Sequence, residues 1–158
     1  MTRKDDDKIE LAWTILCEKS VIDSESNNLS LQNVIEEVQL HAPRGAKLGD
    51  EVLSKEKVAP FNFELITFWR KLAKDREISK EIQVEVFDPD GKSLGKVGGP
   101  LKIAKEHRRL RHRIRFNTIK ATIPGEYTFL VSAREDSSGK FEIAGRAHLE
   151  VKMTLPKK

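Results

Sequence analysis

The feature that most constrains this chain is a strict alternation of apolar and polar side chains in its last third. After Pro124-Gly125, the residues Tyr127, Phe129, Val131 and Ala133 alternate with Glu126, Thr128, Leu130, Ser132 and Arg134. That is the period of a strand with one buried face, because successive side chains of an extended chain point to opposite sides. A polar turn at 135–139 reverses the chain. The return strand then sets Ile143, Gly145, Ala147, Leu149, Val151 and Met153 on one face, with Ala144, Arg146, His148, Glu150 and Lys152 between them. The pattern predicts a β-hairpin whose loop contains Gly139. A two-stranded ribbon is marginal by itself, so the rest of the chain must supply its partners.

The same period recurs upstream. Residues 9–18 set Leu11, Trp13, Ile15 and Cys17 on one face, and the opposite face is also partly apolar. Segment 29–41 changes parity: Leu29 and Leu31 start one face, whereas Val34, Val38 and Leu40 fit the other. It reads as a strand bulged or broken near Asn33, with a helix over 30–39 as the competing reading. Pro43, Gly45 and Gly49 mark 42–57 as a loop crossing between sheets. Strand 58–70 carries four aromatic residues and also changes parity, from Phe61, Phe63 and Leu65 to Ile66 and Phe68. Either a bulge near Leu65-Ile66 reconciles the two sets, or both faces are covered.

Residues 71–80 read as a charged loop or a single helical turn. Ile82, Val84 and Val86 then alternate with Glu81, Gln83 and Glu85, and Asp88-Pro89-Asp90-Gly91 is a turn by composition. A weak strand at 92–103 is interrupted by Gly98-Gly99-Pro100, and a strand at 109–119 alternates Leu110, His112, Ile114 and Phe116 with arginine. Seven or eight strands with no amphipathic helix predict an all-β fold, an antiparallel β-sandwich of the immunoglobulin-like or C2-like kind. Its single domain spans 9–155, with polar tails at 1–8 and 156–158.

Ala12-Trp-Thr-Ile-Leu-Cys-Glu18, the Leu29-Ser-Leu-Gln-Asn-Val34 segment, the aromatic third strand, the Asp88–Gly91 turn and Pro124-Gly-Glu-Tyr-Thr-Phe129 together resemble a family of small prokaryotic β-sandwich proteins of unknown function. The resemblance covers nearly the whole chain and rests on packing and turn residues. It implies the sandwich and transfers no catalytic residue.

Charge is where composition matters. The 158 residues carry a net +4, yet Lys105, Arg108, Arg109, Arg111, Arg113 and Arg115 are opposed locally only by Glu106. That stretch therefore holds +5, and the remainder of the chain holds −1. On a strand, alternate residues lie about 6.8 Å apart, so Arg109 to Arg115 would form a ridge of roughly 20 Å. Such a ridge suits a polyanion, including nucleic acid, because guanidinium groups bind phosphate in bidentate fashion. No aromatic residue is interleaved on that parity to stack bases. The competing reading is a solvated face, or one matched by an acidic neighbouring strand for which Glu81, Gln83 and Glu85 are candidates.

Other chemistry finds little support. Cys17 has no partner for a disulfide and reads as a small core group. His112, on the apolar parity, reads as a satisfied, partly buried histidine, and the four histidines show no metal-ligand spacing. A phosphate loop ending at Gly91-Lys92-Ser93 would need glycine where Val86 stands. Asp88 and Asp90 lack the continuation of a calcium loop, and a cup completed by Glu135 would span opposite ends of a sandwich. Asn28-Leu29-Ser30 matches a glycosylation acceptor but lacks an export signal to give it meaning. No nucleophile elbow or serine–histidine arrangement is present, so an enzyme would need a site assembled from distant loops.

The expectation is a non-catalytic binding or assembly module, without cofactor or metal, acting on a protein partner. A homodimer is one form of it. Polyanion binding through the arginine strand is the alternative. Without an apolar leader or membrane span, the expected address is cytoplasmic.

Overall fold

The structure, a computed structural model, describes residues 8–41, 62–121, 123–135 and 137–154. The tails expected at 1–8 and 156–158, apart from Lys8, lie outside the described residues. So do the loop expected at 42–57 and strand positions 58–61.

Strands β1 (Ile9–Ile22), β2 (Leu29–Val34), β4 (Phe63–Lys71) and β7 (Arg109–Phe116) form one sheet, in the order β2-β1-β4-β7. Strands β3 (Glu37–His41), β5 (Ile78–Phe87), β6 (Ser93–Ile103), β8 (Gly125–Arg134) and β9 (Glu142–Thr154) form the other, in the order β3-β9-β8-β5-β6. The chain is an all-β, two-layer sandwich. Among the described residues, all ladders are antiparallel except β3 with β9. No helix among the described residues is long and apolar enough to cross a membrane.

The alternation at 124–153 produces the β8–β9 hairpin, with Tyr127, Phe129, Val131, Leu149 and Val151 buried. A bulge between Val131 and Ser132 ends the strict parity, and Ile143, expected inside, is 62% exposed. Phe63, Leu65, Trp69 and Leu16 from the first sheet face Ile82, Val84, Phe129 and Val131 from the second. Phe63 stacks on Phe116, and both meet the edge or face of Phe129 at 5.8 and 5.5 Å between ring centres. Each such side chain contributes about 1.5–3 kcal/mol through burial. The Tyr127 hydroxyl donates to the Ile123 carbonyl at 2.8 Å, which closes the bend before β8.

Segment 29–41 divides into two strands that join different sheets, which brings the described strands to nine. Asn33 takes a positive φ of 50° at the end of β2. The Ile35 amide then donates to Leu16 O in one sheet, and Glu36 O accepts from Glu150 N in the other. The chain thus changes layers within two residues, and the parity change in the sequence reflects that crossing. In β1, a bulge between Leu11 and Trp13 puts Leu11 with the core cluster. Trp13, Ile15 and Cys17 lie on the opposite face, so the single apolar face expected for 11–17 is divided.

Strand β4 has no bulge; both of its faces are covered. Phe63, Leu65, Thr67 and Trp69 point inward, while Glu64, Ile66 and Phe68 point outward. Ile66 is nevertheless only 1% exposed, and Cys17, on the same face of β1 and paired with Glu64, is 0% exposed. Their cover is the β1–β2 hairpin. Although β4 separates β1 from β7, Asn27 in the hairpin tip contacts Arg111 of β7, and Ser20 contacts Glu64 and Arg113. The hairpin therefore folds back across the outer face of its own sheet.

The interruption expected at Gly98-Gly99-Pro100 does not occur, and β6 runs unbroken. It is an edge strand, where proline leaves no neighbour short of a donor. At Gly98, a Cβ would lie 2.3 Å from the Ile82 carbonyl oxygen, whereas at Gly99 it would meet nothing within 4 Å. Gly98→Ala is accordingly expected to lower stability by about 1–3 kcal/mol, and Gly99→Ala to change it by no more than about 0.5 kcal/mol. Paired urea denaturation curves of the two variants check this.

Candidate functional site

The arginine strand is β7, at the margin of the first sheet. Its residues lie opposite β4 in a register that pairs Arg109 with Arg70, Arg111 with Phe68, Arg113 with Ile66 and Arg115 with Glu64. Glu81, Gln83 and Glu85 belong to β5 in the other sheet and do not neighbour it. Glu81 binds Arg134 and Glu85 binds Lys96. The expected cross-strand match between these acids and the arginines is therefore absent.

A carboxylate that the sequence did not single out takes that role at one end of the strand. Glu64 accepts hydrogen bonds from the amide and hydroxyl of Ser20 on Oε2 and from Arg115 Nε at 3.1 Å on Oε1. Arg113 lies 4.0 Å from the same oxygen. Burial alone would raise the Glu64 pKa. The Ser20 hydrogen bonds, the Arg115 hydrogen bond and the Arg113 charge outweigh it and hold the carboxyl below its ordinary value. Cys17, next to Glu64, is pushed up by burial and then by that negative charge, so it remains a protonated packing group.

The other end of the strand is different. Arg111 Nη2 donates to the carbonyl and side-chain oxygens of Asn27 at 2.9 and 2.8 Å, both uncharged acceptors. The tip holding Asn27 is ordered by Asp23, whose Oδ1 accepts from Ser26 N at 2.6 Å and Ser26 Oγ at 2.7 Å. Arg109 sits opposite a like charge, Arg70, whose own carboxylate partner is Glu10 at 2.9 Å. The exposed side chains of Lys105, Arg108 and Arg109 have no acidic partner among the described residues. The basic ridge is thus divided, with Arg113 and Arg115 tied to Glu64 and the remaining charge collected toward the start of the strand.

A groove of about 820 Å³ lies beside that start. The hairpin tip and Ile22 form one side, Arg108, Arg109 and Arg111 the other, with Phe68 and Leu110 also lining it. Among the described residues, Glu106 is the one acidic group in this lining. Phe68 supplies an aromatic surface that β7 itself does not have, and it is backed by Trp13 in a parallel stack at 5.1 Å. Of the six basic residues singled out by sequence, three line this groove. Lys105, Arg113 and Arg115 do not.

Lys71 positions the segment leading into the groove. This side chain is buried, and its ammonium donates to the carbonyls of Arg76, Ala104 and Lys105 at 2.7, 2.8 and 3.0 Å. All three of its donors are used. Its amide also donates to Arg108 O. Nothing in the residue pattern distinguishes Lys71 from the surface lysines around it.

His112 is half-buried, and its Nδ1 has no hydrogen-bond partner among the described residues. The satisfied histidine expected there is therefore not found, because the inner-face neighbour Thr67 directs its hydroxyl to the His112 carbonyl instead. Burial lowers the His112 pKa. Among the described residues, no group of three or more His, Cys, Asp or Glu side chains is arranged to hold a metal ion. The turns at 88–91 and 135–139 lie at opposite ends of β5 and β8.

No protein-family model matches this sequence, and no curated protein does. Solved structures resemble it at low identity. An immunoglobulin-like protein from Pseudomonas aeruginosa is 13% identical, with a TM-score of 0.40, over 93% of this chain and 98% of that one. A Bacteroides uniformis β-glucuronidase is 11% identical, with a TM-score of 0.44, over 56% of this chain. The chain spans only 11% of that enzyme's length, and 10% of a second β-glucuronidase of glycoside hydrolase family 2. A Pseudomonas fluorescens alkylpurine DNA glycosylase bound to DNA is 13% identical, with a TM-score of 0.42, over 72% of this chain and 29% of that one.

Two outcomes follow from the charges. Both Glu64 and His112 have folded-state pKa values below their ordinary ones, so each contributes stability above its ordinary pKa that is lost as pH falls through the lower value. Glu64→Gln is expected to lower stability at neutral pH by about 1–3 kcal/mol. It should also flatten the acid limb, whereas His112→Gln should flatten the step nearer neutrality. Denaturation midpoints across a pH series check both. Lys71→Met keeps the buried stem but leaves three carbonyls without their donor. It is expected to speed amide exchange across 104–108, read by hydrogen-exchange mass spectrometry.

Proposed function

We propose that this chain is a non-catalytic binding module whose partner is a protein with an acidic surface, engaged at the groove beside the start of β7. One observation supports the reading above the others: Lys105, Arg108 and Arg109 form no ion pair with a described acidic group and are opposed locally only by Glu106, next to a groove lined by Phe68, Leu110 and Ile22. A basic rim beside apolar surface provides both halves of a protein contact. The apolar part contributes through burial, and the charges select and steer the partner.

Binding of a polyanion is the second reading. It is favoured by Phe68, which supplies the aromatic surface that a reader of single-stranded nucleic acid uses. The two readings differ in their response to salt and in the chemistry of the probe.

Fluorescence anisotropy with labelled poly-glutamate, and with labelled single- and double-stranded DNA and RNA, at two salt concentrations tests them. Poly-glutamate should bind at low salt, and Arg108→Gln/Arg109→Gln should weaken it by about tenfold or more. Arg115→Gln, which alters a charge held by Glu64, should have a smaller effect. Binding of nucleic acid alone, with a steep salt dependence, would favour the second reading. No binding by any probe at low salt would remove both.

A further inference from the structure

The way β7 spends its backbone hydrogen bonds says more about the partner, given the reading of an acidic protein ligand. The Lys71 amide donates to Arg108 O, and the β4–β7 register pairs Leu110 with Trp69, His112 with Thr67, Ile114 with Leu65 and Phe116 with Phe63. In an antiparallel ladder, the N–H and C=O of one residue point to the same neighbour, and those of the next residue point to the other side. The residues in phase with Arg108, namely Leu110, His112, Ile114 and Phe116, therefore bond to β4. Arg109, Arg111, Arg113 and Arg115 turn their backbone groups toward the open margin, where no described strand pairs. The same four residues put their side chains on the outer face.

That coincidence selects among possible strands. An incoming strand would hydrogen-bond to the arginine residues themselves and lay every second side chain among their guanidiniums. Arginine along an edge repels basic strands and discourages apolar ones, as natural edges require. An acidic strand is admitted, because directly opposed side chains of opposite charge stabilise a pair.

We propose that the open edge of β7 accepts an extended acidic peptide of a partner protein, added as a further strand of the first sheet. Its carboxylates occupy alternate positions opposite Arg109 and Arg111. Arg113 and Arg115 already share Glu64, so the specificity lies at the start of the strand. Arg111 uses Nη2 on Asn27, which leaves Nε and Nη1 to meet a carboxylate. The groove beside Arg109 gives the carboxylates room, and Glu106 in its lining limits how much acid it takes. Intervening residues of the peptide face inward beside Leu110 and His112, both half-buried, which suits valine or threonine.

The test uses the whole chain, isotopically labelled, with amide exchange followed by NMR. The probe is a short acetylated and amidated peptide alternating Glu with Val and Thr. Its partner probe has the same sequence with N-methyl groups on the Glu amides, and a DNA oligonucleotide of matched charge completes the set. In the free protein, the Arg109 and Arg111 amides should exchange quickly. The first peptide should slow them by at least about tenfold, and N-methylation should abolish that protection. Arg109→Gln/Arg111→Gln should weaken the first peptide by about tenfold while leaving the core amides protected.

Slow exchange of those two amides before any peptide is added would overturn the proposal, because the edge would already be occupied. Equal binding of both peptides without protection would overturn strand addition and leave the acidic-partner reading standing. No binding of either peptide at low salt would overturn both readings. Binding of the oligonucleotide alone would also overturn both, in favour of a polyanion.

Discussion

Burial of strand β4 on both faces is the constraint from which the rest of this structure follows. Its inner face contributes Phe63, Leu65 and Trp69 to the core, as a strand of a sandwich must. Its outer face carries Ile66 and Phe68, which a one-sided sheet would leave in water. The chain resolves this by folding the β1–β2 hairpin back over the sheet. That path brings Ser20 to Glu64 and Asn27 to Arg111. The apolar residues on the second parity of 11–18 and 63–70 thus find their cover within the chain.

The hairpin has an electrostatic consequence. Glu64 is removed from water by the cover it helps to hold, and a buried carboxylate requires donors. Ser20, Arg115 and Arg113 supply them. Four arginines that look equivalent in sequence become two pairs, one engaged with a buried acid and one facing a groove. Arg111 is held in place by Asn27 without losing its charge, because both acceptors are neutral. Lys71 does comparable work at the crossover before β7. Its ammonium gathers three carbonyls and presents the segment carrying Lys105 and Arg108 outward.

Much of the architecture was legible in the residue pattern. The β8–β9 hairpin, the alternating strand before Asp88, the arginine strand and the sandwich as a whole follow from local period and turn chemistry. The parity changes in 29–41 and 58–70 were legible as irregularities, but their causes were not, and the division of the face expected for 11–17 was not legible at all. The first is a crossing between layers at Ile35-Glu36, the second is a strand covered on both sides, and the division in β1 is a bulge after Leu11. A parity change states that side chains of one type meet both faces of a strand. It does not say whether the backbone slips, the chain changes sheets or another segment lies on top. The continuity of β6 through Gly98-Gly99-Pro100 was illegible for a related reason, since a proline is tolerated only where no neighbouring strand needs its missing donor.

The candidate site divides in the same way. Its charge was evident from the run of arginines, and the orientation of Arg109, Arg111, Arg113 and Arg115 to one face was evident from their spacing. Local alternation decides such things, because it depends only on the geometry of an extended chain. Which charges are spent and which remain could come only from the tertiary structure. Asn27 lies 84 positions from Arg111, Glu64 lies 51 from Arg115 and Lys71 lies 34 from Lys105, and only strand order, register and the returning hairpin bring them, with Phe68, to β7 and the segment before it. Those are set by packing between distant segments, so the sequence determined the strands and their faces, and the fold decided what each face meets.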